Sequence, residues 1–559
     1  MRTSIIVSCL ALAGFGCSSG DSNAPKHVSA AGMTTCCLVT DGNQHAAYLL
    51  NAATAIGSTG GLHVTTPSGS DVKVATGVAS GAFAFAPKGG PPSLIWVTLL
   101  PGGKDASLSW LDLSQPNQQP KVLFPGGMRL QNITPGLSSS PNWTAQIPQQ
   151  GFFTPSGKYF VVGVLAANVA NSPDLHVIDM ATGNDVFQRP NGAFDYLEAV
   201  LPDDTMLFQD SVGGNMGVSG PPPVETLFWV SLSSPGTPQK IDARTGNITI
   251  STDNKSVVYQ RVDRSLWFWD PVARPASAVQ LATDAIAFGV GSKKVGYIAA
   301  DRSFHVVATD GTPVVSTGAN VADPFSPVIV SPDDTDAYWF QNVETQNARG
   351  QMFHMAATAG ATANPVDSNV SILDVRPVAG GLLFMRNVDA VGQFGDAVFA
   401  GRDGTSSLNP LATGAPVGGL VPVSPLMPIP PTTWVCPHLG GATIDKDKRF
   451  IDTASPEPHG ALSLITMASG HDAAVDASVR AGQFVVSDDQ ALLAYVSGAM
   501  LDATQNNFVG TLKQAPVAMP TMASMPILGG VSELGSVVGK QMFVDAPKAA
   551  TPGVYFVKF

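Results

Sequence analysis

The chain has 559 residues, of which 44% are hydrophobic and only 13% charged, with 57 glycines and 44 prolines. That apolar content excludes disorder for the bulk of the chain, and a formal net charge of -12 without any run of lysine or arginine excludes nucleic acid as a partner. Glycine and proline spread between short apolar runs predict many turns joining many strands, hence an all-β chain.

The first residues read as an address. Arg2 precedes the apolar segment Ile5 to Ala13, too short to span a bilayer as a mature helix, and small residues lead on to Cys17. Leu12-Ala13-Gly14-Phe15-Gly16-Cys17 resembles a bacterial lipoprotein signal, which implies that Cys17 is lipidated and begins the mature chain; ordinary secretory cleavage near the same point is the other outcome. Ser18 rather than aspartate after the cysteine implies, by the same resemblance, the outer membrane, or otherwise the periplasm or cell surface. Residues 1–17 therefore read as a signal peptide and 18–42 as a flexible tether, polar and Ser/Gly/Asp/Pro-bearing from Ser18 to Pro25. No later segment reaches the ~18 apolar residues of a membrane helix, so the membrane is expected to be reached through the N-terminal lipid alone.

Cys9 leaves with the signal and Cys17 takes the lipid, so Cys36, Cys37 and Cys436 remain. In an oxidising compartment a bridge from the adjacent pair to Cys436 would close a very long loop and remove much denatured-state entropy. Three thiols, or a strained bridge between Cys36 and Cys37, are the alternatives. The spacing fits no zinc or haem site.

From Gln44 onward the chain is a succession of strand pairs. Leu94 to Thr98 is answered by Leu108 to Asp112, Tyr159 to Val164 by Leu175 to Asp179, and Met206 to Gln209 by Leu227 to Val230. Val257 to Tyr259 is answered by Leu266 to Trp269, Val295 to Ile298 by Phe304 to Val307, and Ala337 to Phe340 by Met352 to Met355. The series continues with Leu382 to Met385 and Ala397 to Phe399, Arg449 to Ile451 and Leu462 to Ile465, and Leu492 to Val496 and Phe508 to Thr511. A polar turn precedes the first member of most pairs, as in Val330-Ser331-Pro332-Asp333-Asp334-Thr335-Asp336 and Val486-Ser487-Asp488-Asp489-Gln490. The anchors Gly157, Asp204, Asn254, Lys293, Asp334 and Gly380 are 39 to 50 residues apart. Such a period, with four short strands per unit, is the signature of propeller blades, which cannot bury both faces alone and so stack radially.

These phrases, strongest at Ser331 to Phe340, Thr154 to Gly183 and Ser487 to Tyr495, resemble the WD-like repeats of TolB-type β-propellers of the bacterial cell envelope. The resemblance covers residues 150–540 and implies a β-propeller of four-stranded blades. Ten to eleven units exceed the usual ~4 to 8 of one ring, so either two propellers lie in tandem or one ring carries extra hairpins. Blades are expected over 43–409 and 438–559. Residues 410–437, including the run Val421-Pro422-Val423-Ser424-Pro425-Leu426-Met427-Pro428, read as a Pro-rich linker or long loop.

The chemistry-bearing residues are sparse. Cys436, His438, Asp445, Asp447, Asp452, His459, His471 and Asp472 gather donors suited to a divalent ion, but Lys446, Lys448 and Arg449 would neutralise the carboxylates and the spacing fits no known ligand framework. Asp333, Asp334 and Asp336 lack the spacing of a calcium loop and read as turn residues. No Gly-x-Ser-x-Gly elbow is present. Trp96, Trp110, Trp229, Trp267, Trp269 and Trp339 lie in predicted strands and are expected between blades. No catalytic residue, metal or cofactor is assigned. The expected function is a non-catalytic binding or scaffold module for a protein, peptide or glycan; the alternative is an envelope lyase or hydrolase using a channel site around residues 436–472.

Overall fold

The computed structural model describes residues 24–29, 35–42, 44–50, 59–87, 89–101, 105–115, 119–128, 151–165, 173–190, 197–212, 224–243, 245–273, 277–378, 381–404, 410, 412–416, 443–444, 449–454, 460–466, 470–502, 507–519 and 525–559. Among these there is no helix, and the strands form antiparallel sheets in which each strand, apart from Lys26–His27, pairs with its neighbours in sequence. Five sheets have four strands and three have seven.

Each seven-stranded sheet is two four-stranded units sharing one long strand. Asp71–Phe85 pairs with 59–65 through its first half and with 93–99 through its second, and Asn364–Val378 and Gly470–Val486 do the same further on. The register shifts where each strand changes partner, which bends the strand from one sheet into the next. Counted this way, the described residues form eleven four-stranded blades: 35–79, 83–128, 151–189, 197–243, 245–282, 285–316, 329–371, 375–416, 443–479, 484–531 and 533–558. The fold is all-β and propeller-like, and all nine strand pairs read from the sequence are formed.

Two expectations are corrected. Within the stretch read as a tether, Lys26–His27 and Thr35–Thr40 are strands. Lys26 and His27 pair with Phe556 and Tyr555 as the fourth strand of blade 11, while Thr35–Thr40 is the first strand of blade 1. Within the stretch read as a Pro-rich linker, Ala412–Pro416 is the fourth strand of blade 8. Lys26–His27 and Ala412–Pro416 each lie beside a longer strand, which gives them the identity their own apolar pattern does not.

Apolar clusters fill the spaces between consecutive blades. Ile95, Val97 and Trp110 of blade 2 meet Phe153, Phe160 and Val162 of blade 3; Tyr338 and Phe340 of blade 7 meet Leu382 and Phe384 of blade 8. Among the described residues, ten such clusters lie at ten successive junctions and none is described between blades 8 and 9, where residues 417–442 lie outside the described chain. Blade 11 packs on blade 1 through Phe543, Val554 and Phe556 against Ala46, Tyr48 and Leu50. First strands of successive blades approach one another in blades 5, 6 and 7 and again between blades 11 and 1, as they do when they lie nearest a common axis.

Trp339 is fully buried, stacked on Phe304 of blade 6 with ring centroids 4.3 Å apart and on Phe353 of its own blade at 5.8 Å. Trp96, Trp110 and Trp269 are buried, and half-buried Trp229 reaches across to Trp269 at 5.7 Å. Trp267 is half-buried and packed against the cluster between blades 4 and 5, beneath the Arg261 guanidinium, 4.0 Å from its ring centre. Trp339→Ala should cost about 3–5 kcal/mol of unfolding free energy in a urea titration; a loss below about 1 kcal/mol would contradict inter-blade stacking as a principal source of stability.

Candidate functional site

The strand order gives the body two ends. At the turn end lie the connections between first and second and between third and fourth strands of each blade; at the link end lie the second-to-third hairpins and the links to the next blade.

The turn end is occupied by a repeated polar device. Ser331 Oγ accepts hydrogen bonds from the Thr335 and Asp336 amides at 3.0 and 2.9 Å. Ser251 does the same for Lys255 and Ser256, and Ser487 for Ala491 and Leu492. The fourth residue of each turn, Gly157, Asn254, Asp334 or Gln490, has φ between 57° and 70°, a left-handed conformation that glycine, asparagine and aspartate adopt most readily. A hydroxyl that satisfies two amides and a residue tolerant of positive φ are what this turn requires.

The three aspartates of 331–336 have three different tasks. Asp334 receives the Ser292, Lys293 and Lys294 amides of blade 6 at 2.8 to 3.1 Å, tying blade 7 to the preceding turn; burial still raises its pKa. Burial would also raise Asp333 and Asp336, but hydrogen bonds outweigh it and lower both: Arg402, Ser331 and Thr335 act on Asp333, and His354 and Thr335 lead on Asp336. Arg402 Nη1 reaches Asp333 at 2.5 Å and His354 Nε2 reaches Asp336 at 2.7 Å. These carboxylates are spent on turns and blade junctions. A related contact ties blade 4 to blade 3, where Ser156 Oγ donates to Asp204 at 2.5 Å.

The link end is different. Gln209 Nε2 donates to Thr245 Oγ1 and to the Gly246 carbonyl of the next blade, and Gln260 to the Ala285 carbonyl. Beside these stitches, Glu198 in the first strand of blade 4 and Glu225 in its third strand are half-buried, and neither carboxylate has a hydrogen-bond or ion-pair partner among the described residues. Burial, with the field of Glu225 second, pushes Glu198 up to about 7, and burial raises Glu225 as well. The pair can take up a proton near neutral pH; it has no third ligand for a metal ion, since no group of three or more such donors occurs among the described residues. Glu533, at the junction of blades 11 and 1, accepts the Leu38 amide at 2.5 Å and is likewise raised by burial. The sequence reading passed over all three, although the chain has only five glutamates.

Several expected positions lie outside the described residues: Cys17, Cys436, His438, Asp445, Asp447 and His459. The side chains of Cys36, Asp452, His471 and Asp472 do too. Cys37 Sγ lies 3.0 Å from Ser80 Oγ.

No family model and no curated protein matches the sequence. Among solved structures, a eukaryotic initiation factor is 11% identical over 69% of this chain and 87% of its own, with a TM-score of 0.39. A prolyl endopeptidase is 14% identical over 78% of this chain with a TM-score of 0.34, and the chain spans 54% of its length. Dipeptidyl peptidase 4 of Porphyromonas gingivalis is 11% identical over 73% of this chain and 66% of its own, with a TM-score of 0.37.

A raised carboxyl pKa carries a sign. Relative to the unfolded chain, Glu198 leaves the fold unpenalised below about pH 4.5, and stability falls as pH rises through about 7 because the buried group must ionise. Glu198→Gln should therefore unfold like the parent at pH 4.5 and be more stable by about 2–3 kcal/mol at pH 8; equal stability of the two proteins at both pH values would contradict the assignment.

Proposed function

We propose that this chain is an exported, lipid-anchored binding module of the cell envelope, TolB-like in its repeats, whose propeller-like body holds a protein, peptide or glycan partner without chemistry of its own. The observation that carries the reading is the exposure of apolar side chains on irregular segments of a rigid frame, beside polar groups that are committed to turns. At the turn end the hydroxyl and carboxylate side chains of 331–336 are committed to turns and neighbouring blades. At the link end, hairpins and links on a rigid scaffold present large apolar side chains to solvent: Phe325 is 69% exposed and Val391 63%. Irregular segments held by a stable frame are where recognition is placed.

The attachment rests on Cys17 and its preceding apolar segment. Where the described chain begins, residues 24–25 precede the closing strand of blade 11, so residues 18–25 suffice as a spacer between lipid and body.

Two measurements bear on this reading. Cys17→Ala should move the protein from the membrane to the soluble envelope fraction, whereas a variant that stays in the membrane pellet would remove lipidation as the attachment. Affinity capture from detergent-solubilised envelopes should recover a defined partner that survives washing; recovery of none would remove the binding role.

A further inference from the structure

Four exposed apolar side chains of the link end gather on one sector, apart from Val262 on blade 5 and Met500 and Leu501 on blade 10. Phe325 lies in the link from blade 6 to blade 7, Leu373 in the link from blade 7 to blade 8, and Val391 and Phe394 in and beside the hairpin of blade 8. They are 69%, 61%, 63% and 48% exposed. Contacts join these segments into one surface. Asp323 accepts the Phe325 and Val343 amides, the Ile372 amide donates to the Ala348 carbonyl, and Gly392 closes against the Asn347 backbone. Arg349 Nη1 spans to the Val388 and Asp389 carbonyls at 3.1 and 3.3 Å, fixing the blade 7 hairpin to that of blade 8.

Single exposed apolar residues need no explanation, but four on adjoining, mutually bonded segments form a patch of the kind that marks a docking surface. Two observations say what covers it. First, the segments 317–328, 341–349, 367–376 and 386–396 that build it carry six carboxylates and three guanidinium groups, a net negative field. Second, the chain enters the body at the opposite end. Lys26 pairs with Phe556 near the close of the third strand of blade 11, and its Nζ bonds the Pro67 and Ser68 carbonyls in the 66–70 turn of blade 1, both at the turn end. Residues 18–25 extend at most about 28 Å, so an anchor at Cys17 brings the turn end toward the bilayer and points the patch away from it. Both observations disfavour a lipid surface, which is anionic and lies on the other side.

We infer that Phe325, Leu373, Val391 and Phe394 form a docking patch for a segment of a partner protein in which apolar side chains are flanked by lysine or arginine. The inference deepens the binding reading above and rests on it. Apolar side chains of the partner would cover the patch, and its cations would meet carboxylates such as Glu344, which is half exposed and already shared with Arg349. Salt weakens such a complex because the charge pairs lie at the rim.

Binding of two labelled synthetic peptides of equal length, one of leucine and lysine and one of leucine and glutamate, tests this by fluorescence anisotropy. The lysine peptide should bind the parent, about tenfold more weakly the Phe325→Ser/Phe394→Ser variant, and with unchanged affinity the Val272→Ser/Met525→Ser control, whose side chains lie at the turn end and are more exposed. The glutamate peptide should bind more weakly than the lysine peptide. The patch is overturned if both variants lose binding equally, if neither does, if the glutamate peptide binds as tightly, or if phosphatidylglycerol vesicles bind the parent and not the Phe325→Ser/Phe394→Ser variant. Photo-crosslinking groups at 325, 394, 272 and 525 in the envelope-located protein separate the two levels. Crosslinks only from 272 and 525 remove this patch and keep the binding module; none from any position removes both.

Discussion

A four-stranded sheet with apolar side chains on both faces cannot stand alone in water, because burying one face leaves the other wet. Among the described residues the blades meet that constraint by being sandwiched at every junction but that between blades 8 and 9, and the constraint reaches the first and last blades as much as those between. Blade 11 packs Phe543 and Phe556 on Tyr48 and Ala46 of blade 1, and its own outer edge is completed by Lys26 and His27 from the other end of the chain. Ser29 Oγ receives the Val554 amide at 2.8 Å, and the Ser536 amide donates to Thr40 Oγ1, so polar contacts support the apolar ones at that junction. Glu533 adds a buried carboxylate bonded to the Leu38 amide.

Within that frame, polar side chains choose between two tasks. Where Ser331, Ser251 and Ser487 cap turn amides and Asp334 accepts three amides of the neighbouring blade, they hold geometry. Such groups are costly to leave unpaired once buried, which is why a motif with three aspartates in four positions is saturated by its own surroundings. Where carboxylates stand without partners among the described residues, as Glu198 and Glu225 do, the fold carries a penalty that depends on pH. The link end therefore holds the Glu198 and Glu225 carboxylates together with the patch around Phe325, while the turn end has its polar groups of 331–336 satisfied and carries exposed apolar side chains of its own, such as Val272 and Met525.

Much of the blade series was legible in the sequence because a blade's inner pairs repeat a period-two apolar pattern after a turn that demands particular residues. Val257 to Tyr259 with Leu266 to Trp269 needed no other information. What escaped had no local signal. Lys26–His27 is two residues long and is a strand only because Tyr555 and Phe556 lie beside it. The shared strand Asp71–Phe85 changes partner at Ser80-Gly81 without the chain leaving the strand, so the boundary falls inside one element. The patch residues were equally hidden, since Phe325 in Asp-Pro-Phe-Ser and Val391 in Ala-Val-Gly are each one apolar residue in a polar loop until the fold sets them side by side.

If the link end receives a partner, closure of the last blade by the first strand is what keeps that end rigid, because every junction downstream of it depends on the series being held at both extremities. His27 and Tyr555 face one another across this closure, with ring centroids 5.1 Å apart. A His27→Cys/Tyr555→Cys variant tests it directly, since opposed residues of an antiparallel pair lie within disulfide reach. Non-reducing peptide mapping after mild oxidation should recover the 27–555 bridge in nearly all of the folded protein. Recovery of both positions as thiols, or bridged only to other cysteines, would contradict closure of the last blade by the first strand.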